Sequence, residues 1–337
     1  LVATPDEIPA LPRPLVEPAS AEARAADPSA NGITALRLFL AASVLVFHVY
    51  PLGGFGTDPV QILTGGQLRG GGTLAVLGFF GLSGYLLVQS RRRTSPVAFA
   101  WRRALRILPG YWGAIAATAL VVGPWYVTAA WLPGPGVADL TFGDPPETIN
   151  YSLWTLFPEI LCYVVLALIP VRFMVIAIPT LLAALTLIGA SLLPTGTAGE
   201  VYGFFLAFWT GATIAIAGIR PSGRVSIALI GVLVAATLLD RFNLAMGFVF
   251  AYVALWAGFA IPLRWERDLS YGTYIYAFPI TRALAALGAT SVGHLPFTVL
   301  ALAATLSAAA VSWVVVERPA LGLKRLVPTS AVGLARR

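Results

Sequence analysis

The sequence is poor in the residue types from which soluble enzymes usually build reactive sites. It has one cysteine, Cys162, and that lies inside an apolar run. This excludes a disulfide framework and any Cys/His metal spacing. There are two histidines, His48 and His294, and one lysine, Lys324. Charged residues make up only 11% of the 337 positions, whereas a soluble domain is typically about one-quarter charged. Hydrophobic residues make up 58%, and the mean hydropathy is +0.82. These values describe a polytopic membrane protein, with the lipid bilayer as its surroundings. The net charge of +7 does not point to nucleic acid. Its arginines cluster in short loops between apolar runs, as positive-inside topology requires. Residues 1–30 are rich in Ala, Pro and acidic side chains and have no apolar core, so a disordered N-terminal tail is expected there and not a signal peptide.

Apolar stretches of spanning length recur near 33–52, 72–90, 104–123, 151–169, 173–193, 201–219, 225–240, 243–262, 270–289 and 297–316. The expected fold is therefore an all-α bundle of about ten transmembrane helices over 31–320. A basic tail, 321–337, follows it. Arg91, Arg92, Arg93, Arg102, Arg103 and Arg106 lie on one side of this layout, and Arg172, Arg220, Arg224, Arg264, Arg267 and Lys324 fall on the same side. The segment 123–150 holds Asp139, Asp144 and Glu147 but no Lys or Arg. The rule then places both termini in the cytoplasm and His294 in an outer loop.

The first span contains the pair that the rest is organised around. Arg37 and His48 are eleven residues apart. They fall on nearly one helix face, roughly 16 Å apart along the axis. A cation and a titratable base in a span must face protein or water, which makes them candidates for function. His48 suits a general base acting on a hydroxyl; the plainer reading is a buried histidine bonded to a neighbouring helix. Arg103 and Arg106, at i and i+3 where the third span opens, could clamp phosphates; the plainer reading is a topology signal. Glu159 and Tyr163 are i,i+4 neighbours on the fourth span, near Trp154, and Pro158 disturbs that helix. Glu159 needs a cationic or imidazole partner, in a structural or a catalytic role. Ser83 lies among small residues that favour close helix packing, and is not expected to be a nucleophile. Tyr274 belongs to a polar start of the ninth span. Glu317 closes the last span, where it could hold a loop arginine.

Taken in order, these segments resemble the membrane acyltransferase family 3, the integral membrane O-acyltransferases. Arg37 and His48 match that family's Arg–ten residues–His pattern. GFFGLSGYLL, with Ser83, resembles its FF-x-L-S-G-F run. WRRALRILPGYW resembles its R-x-x-R-I-x-P segment, with Arg103 and Arg106 as the pair. NYSLWTLFPEILCYV places Trp154, Glu159 and Tyr163 on its L-W-S-L-x-x-E-x-x-F-Y segment. LSYGTYIYAFPI, with Tyr274, resembles S-Y-S-x-Y-L-x-H-x-P, and VERPA, with Glu317, resembles the closing E-x-P. One departure stands out: Ala277 occupies the place where many members have a second histidine.

The resemblance implies an acyl-CoA donor, acetyl-CoA foremost, bound by Arg37, Arg103 and Arg106: its phosphates rest at Arg103 and Arg106, and its pantetheine arm passes Arg37 toward His48. It implies a carbohydrate or glycolipid hydroxyl as acceptor at the outer side of a bacterial inner membrane, with His48 and Glu159 as the catalytic pair and no metal. His48 would take the hydroxyl proton for direct attack on the thioester; the alternative is a transient acyl-imidazole. A transporter or flippase is the competing class, although no internal repeat supports it. Trp125, Tyr126 and Trp131 could stack on a sugar, or form an interfacial aromatic belt.

Overall fold

The computed structural model describes residues 32–119, 150–263 and 267–327. The expected tail over 1–30, residues 328–337 of the expected tail 321–337, and Trp125, Tyr126 and Trp131 lie outside the described residues; the start of that C-terminal tail is helical to Leu326. All regular structure within the described residues is helical, which suits a chain whose backbone polar groups must be satisfied without water. The α-helices are α1 Ile33–Gly53, α2 Pro59–Leu63, α3 Gly72–Arg92, α4 Pro96–Ala117, α5 Leu156–Leu168, α6 Met174–Leu192, α7 Gly196–Ala217, α8 Gly223–Leu238, α9 Phe242–Ala260, α10 Ser270–Ala286, α11 His294–Ser312 and α12 Arg318–Gly322. Seven helical stretches are long and apolar enough to cross a membrane. Three further long helices fall short of that description. α4 carries Arg102, Arg103 and Arg106 in its first half, and α8 and α10 are shorter, at 16 and 17 residues.

Hydrophobic surface is distributed as a bilayer demands. Ile227, Leu238, Ile176, Leu187, Val311 and Val315 are exposed on α6, α8 and the last helical stretch. The interior is built on α3 and α7, which touch backbone to backbone. A β-carbon on Gly84 would lie 1.9 Å from the Phe208 carbonyl oxygen, and one on Gly211 would lie 2.0 Å from that of Gly81. This is the close approach that small residues permit when lipid supplies no hydrophobic drive between helices. Phe80 stacks on Phe204 at 5.0 Å beside this crossing. α9 covers α3 and α7, while α1 packs between α3 and α10.

Three sequence expectations are corrected. α4 begins at Pro96 and not near 104, because the Ser95 side chain accepts from Ala98 N–H at 3.2 Å and Pro96 occupies the first turn, where its missing N–H costs nothing. His294 is the first residue of α11 and not a loop residue, packed against Tyr50 and Phe55 at 4.7 and 5.1 Å. Arg91 does more than mark topology: it is 4% exposed, and its guanidinium donates to Thr94 O, Ala167 O and Ile169 O, capping the carbonyl end of α5. Pro158 disturbs its helix as expected. A 3₁₀ turn, Tyr151–Thr155, precedes α5, and Pro158 sits in the first turn of the α-helix proper.

Candidate active site

His48 lies near the end of α1. Its Nδ1 is 2.6 Å from the Val44 carbonyl oxygen. A carbonyl can only accept, so Nδ1 donates. In the neutral ring the lone pair is then on Nε2, which is the tautomer a general base needs. The ring meets Phe278 edge-on at 5.5 Å. It also lines a cavity of about 880 Å³. Gly72 opens space beside it: a β-carbon there would lie 3.1 Å from His48 Cε1.

The cavity wall is mixed, and its polar groups are held in place by local bonds. Asp58, 4% exposed, accepts from Val60 N–H at 2.7 Å, capping α2, and from Gly71 N–H at 2.8 Å. It thereby ties the α1–α3 connection to the start of α3. Thr73 donates to Glu200 Oε1 at 2.9 Å, and Arg69 donates to Thr197 Oγ1 at 2.6 Å. Trp154, Thr155 and Tyr274 also line this space. The Tyr274 hydroxyl bonds the Thr155 hydroxyl and donates to Ser152 O at 3.1 Å.

Tyr274 and Phe79 link the cavity to a second cluster. Their rings are 6.0 Å apart, and the Arg37 guanidinium lies 6.0 Å from the Phe79 ring centre. Arg37 Nη1 and Arg106 Nη2 each stand 2.6 Å from the same atom, Asp268 Oδ2. The other oxygen, Oδ1, accepts from the N–H and the hydroxyl of Ser270. Burial pushes the Asp268 carboxyl up, but the two guanidinium charges and the Ser270 bonds more than offset this and hold it down at about 2. Arg106 Nη1 is also 3.8 Å from Glu317 Oε2. Glu317 sits in one turn of π-helix, Trp313–Glu317, and its Oε1 accepts from Ser312 at 3.4 Å.

Arg103 completes this end. Its guanidinium lies 6.0 Å from the Phe99 ring, and its buried Nε has no hydrogen-bond partner. Arg37, Arg106, Tyr163 and Glu159 are within electrostatic range of it. Glu159 accepts from Ser83 at 3.2 Å and from the Tyr163 hydroxyl.

The structure thus sorts the sequence candidates into two neighbourhoods. His48, Trp154 and Tyr274 share the cavity. Arg37, Arg106 and Glu317 share an ion-pair cluster, beside Arg103, Glu159, Tyr163 and Ser83. Glu159 is not among the residues lining the cavity with His48. Glu317 holds Arg106, a helix residue, and not a loop arginine. Ala277 is 2% exposed in an apolar cluster with Leu45, Val49, Phe297 and Ala301. Sequence reasoning missed Asp268, Asp58, Glu200 and Gly72. Among the described residues, no group of three or more His, Cys, Asp or Glu side chains could hold a metal ion.

The chain is 28% identical over 326 residues to an "O-acetyl transferase" of Shigella phage Sf6, covering 86% of this chain and 95% of the phage protein. It is 26% identical over 361 residues to "Nodulation protein 10" of Rhizobium leguminosarum bv. viciae, covering 87% and 94%. No solved structure matches it. The family model described as an acyltransferase domain, Acyl_transf_3, matches residues 30–317, nearly the whole helical bundle. The chain therefore belongs to the membrane acyltransferase family 3.

Proposed function

We propose that this membrane acyltransferase moves an acetyl group from acetyl-CoA to a hydroxyl of a carbohydrate or glycolipid, with His48 as the general base. The observation that carries this reading is the His48 ring, which lines a cavity of mixed polar and apolar wall with Nδ1 fixed on Val44 O and the lone pair left on Nε2. The acceptor hydroxyl gives its proton to Nε2 as its oxygen attacks the thioester carbonyl. The C–S bond breaks, and the imidazolium returns the proton to the departing thiolate. Direct attack needs only one base beside the acceptor, and His48 can fill that role from the cavity wall. The name of the phage relative supports acetyl as the group transferred.

Donor phosphates are assigned to Arg103, Arg106 and Arg37. The unpartnered Nε of Arg103 fits this role, since a buried donor without an acceptor is costly unless a ligand supplies one. Glu159, Ser83 and Tyr163 are assigned to this end as supports, not to proton transfer at His48. In this reading ten helices cross a bacterial inner membrane with both termini in the cytoplasm. The arginines face the cytoplasm and the His48 cavity faces outward. Trp154 and Tyr274 would position the acceptor.

The test uses purified protein in nanodiscs, labelled acetyl-CoA and a panel of envelope glycans. His48→Ala is expected to lose about 10²–10⁴-fold in rate with its fold intact. Full activity in that variant would end the mechanism. A cysteine at position 93 should be labelled only from inside and one at position 140 only from outside. The reverse pattern would end the orientation.

A further inference from the structure

The arginines assigned to the donor are not all free to receive it. Arg37 comes from α1 and Arg106 from α4, and both close on one oxygen of Asp268 at 2.6 Å. Asp268 is only 21% exposed, and its other oxygen is held by Ser270. One carboxylate therefore fills the point where two guanidinium groups converge. Three arginines, Arg37, Arg103 and Arg106, are gathered here with three carboxyl groups, those of Asp268, Glu317 and Glu159. Arg102 and Lys324 add positive charge beside Arg103 and Arg106, but a phosphate that is to meet Arg37 and Arg106 together must take the place of Asp268 Oδ2. Arg103 differs from the other two. Its Nε is buried and unpartnered, and it stands one helical turn from Arg106.

We propose that Asp268 is a place-holding anion: it occupies the seat between Arg37 and Arg106 in the free protein and is displaced from it by a phosphate of the donor. This rests on the donor reading given above and adds the exchange step. A phosphate offers more charge and more acceptor oxygens than a carboxylate, and two converging guanidinium groups favour it bidentately. Arg103 makes the first contact, and Arg106 then changes partner. No covalent bond is involved. Asp268 also spares the free protein an unpaired, part-buried Arg37 and an Arg106 left with only its longer contact to Glu317. Without it, the arginines would either destabilise the fold or hold any passing anion. The cost of exchange is affinity: the donor binds as though only the open fraction of seats existed. Because Asp268 lies two residues before the start of α10, the helix that carries Tyr274 and Phe278, the seat is joined by one element to the wall around His48.

The proposal makes an unusual prediction, because removing a residue at the site should tighten binding. Coenzyme A binding is measured by calorimetry on full-length protein in nanodiscs, with pantetheine, which lacks the phosphates, as the control. Asp268→Asn is expected to lower the thermal midpoint of the free protein, to bind coenzyme A about tenfold more tightly, and to leave pantetheine binding unchanged. Asp268→Glu keeps a competing charge and should bind like the wild type. Unchanged or weaker coenzyme A binding in Asp268→Asn, while Arg106→Ala still weakens it, would overturn the exchange and leave the arginine assignment standing. Coenzyme A affinity indifferent to both Arg37→Ala and Arg106→Ala would overturn the assignment and the exchange together. If Asp268→Asn does not fold, hydrogen exchange on the wild type decides. Coenzyme A should speed exchange at the Ser270 amide, whose carboxylate acceptor leaves; unchanged or slower exchange there would overturn the proposal.

Discussion

Gly72 gives His48 its space. A β-carbon at 72 would stand 3.1 Å from Cε1 and 3.4 Å from Nδ1 of the imidazole, tighter than ordinary van der Waals contact. The ring cannot retreat freely, because Nδ1 is bonded to Val44 O and Phe278 lies against it. Gly72→Ala should therefore move the reacting nitrogen and not unfold the helix. The expected outcome is a fall of about tenfold or more in kcat, since small misplacements of a catalytic group are costly. KM for the donor should hold, and the thermal midpoint should change little. An unchanged kcat would mean that the position of His48 is not limiting.

Arg103 and Arg106 share a motif but should fail in different ways. Among the described residues no carboxylate is paired with Arg103, and its Nε has no hydrogen-bond partner. Arg103→Ala should weaken coenzyme A binding about tenfold, the loss expected for one charge-assisted hydrogen bond, at little cost in stability. Arg106→Ala strips a partner from both Asp268 and Glu317. It should cost about 3 kcal/mol or more of stability, as breaking buried ion pairs does. Calorimetry and thermal unfolding on both variants check this. Equal stability loss in the two would count against the division of roles.

The long helices were legible because a bilayer leaves little choice: an apolar run of spanning length must be helical. His48, Trp154 and Tyr274 were legible too, as polar or aromatic groups in segments that otherwise match a family pattern. What escaped was set by partners far away in the chain. Asp268 meets Arg37 across 231 residues, and an acid in an arginine-bearing loop looks like part of the topology signal. Arg91 sits in a run of three arginines, and only the end of α5 beside it reveals a cap. The start of α4 could have been read from Thr94-Ser95-Pro96, a cap residue followed by a first-turn proline, but the polar arginine stretch hid it. Gly72 carries no local mark, because its role is the space it leaves to another helix.

Asp268 should be visible in acid. Its carboxyl is held at about 2, against an ordinary 3.8. A lowered folded-state value means that its contribution to stability is complete above pH 4 and is lost as pH falls from about 4 to about 2. The shift corresponds to about 2 kcal/mol. Acid unfolding of the wild type should therefore steepen in that window, and the steepening should be absent in Asp268→Asn. Parallel acid profiles for the two proteins would show that the ion pairs add nothing to stability.

Ala277 stands where the resemblance to the family implies a second histidine, and the packing around it argues that a histidine cannot simply be placed there. Ala277 is 2% exposed and shares a cluster with Leu45, Val49, Phe297 and Ala301, of which Leu45, Val49 and Phe297 are themselves almost fully buried. Its neighbour Phe278 is already committed to the His48 ring. An imidazole at 277 would overfill this space, which typically costs 1–3 kcal/mol, roughly, and would bury polar nitrogens among aliphatic side chains. Ala277→His should lower the thermal midpoint and should not raise the transfer rate. The combination of His48→Ala with Ala277→His separates two possibilities. If the apolar packing excludes a base from this position, the double variant stays inactive at every pH. Recovered transfer in it would mean that the position can house a working imidazole, and that His48 is not the only residue able to serve as base.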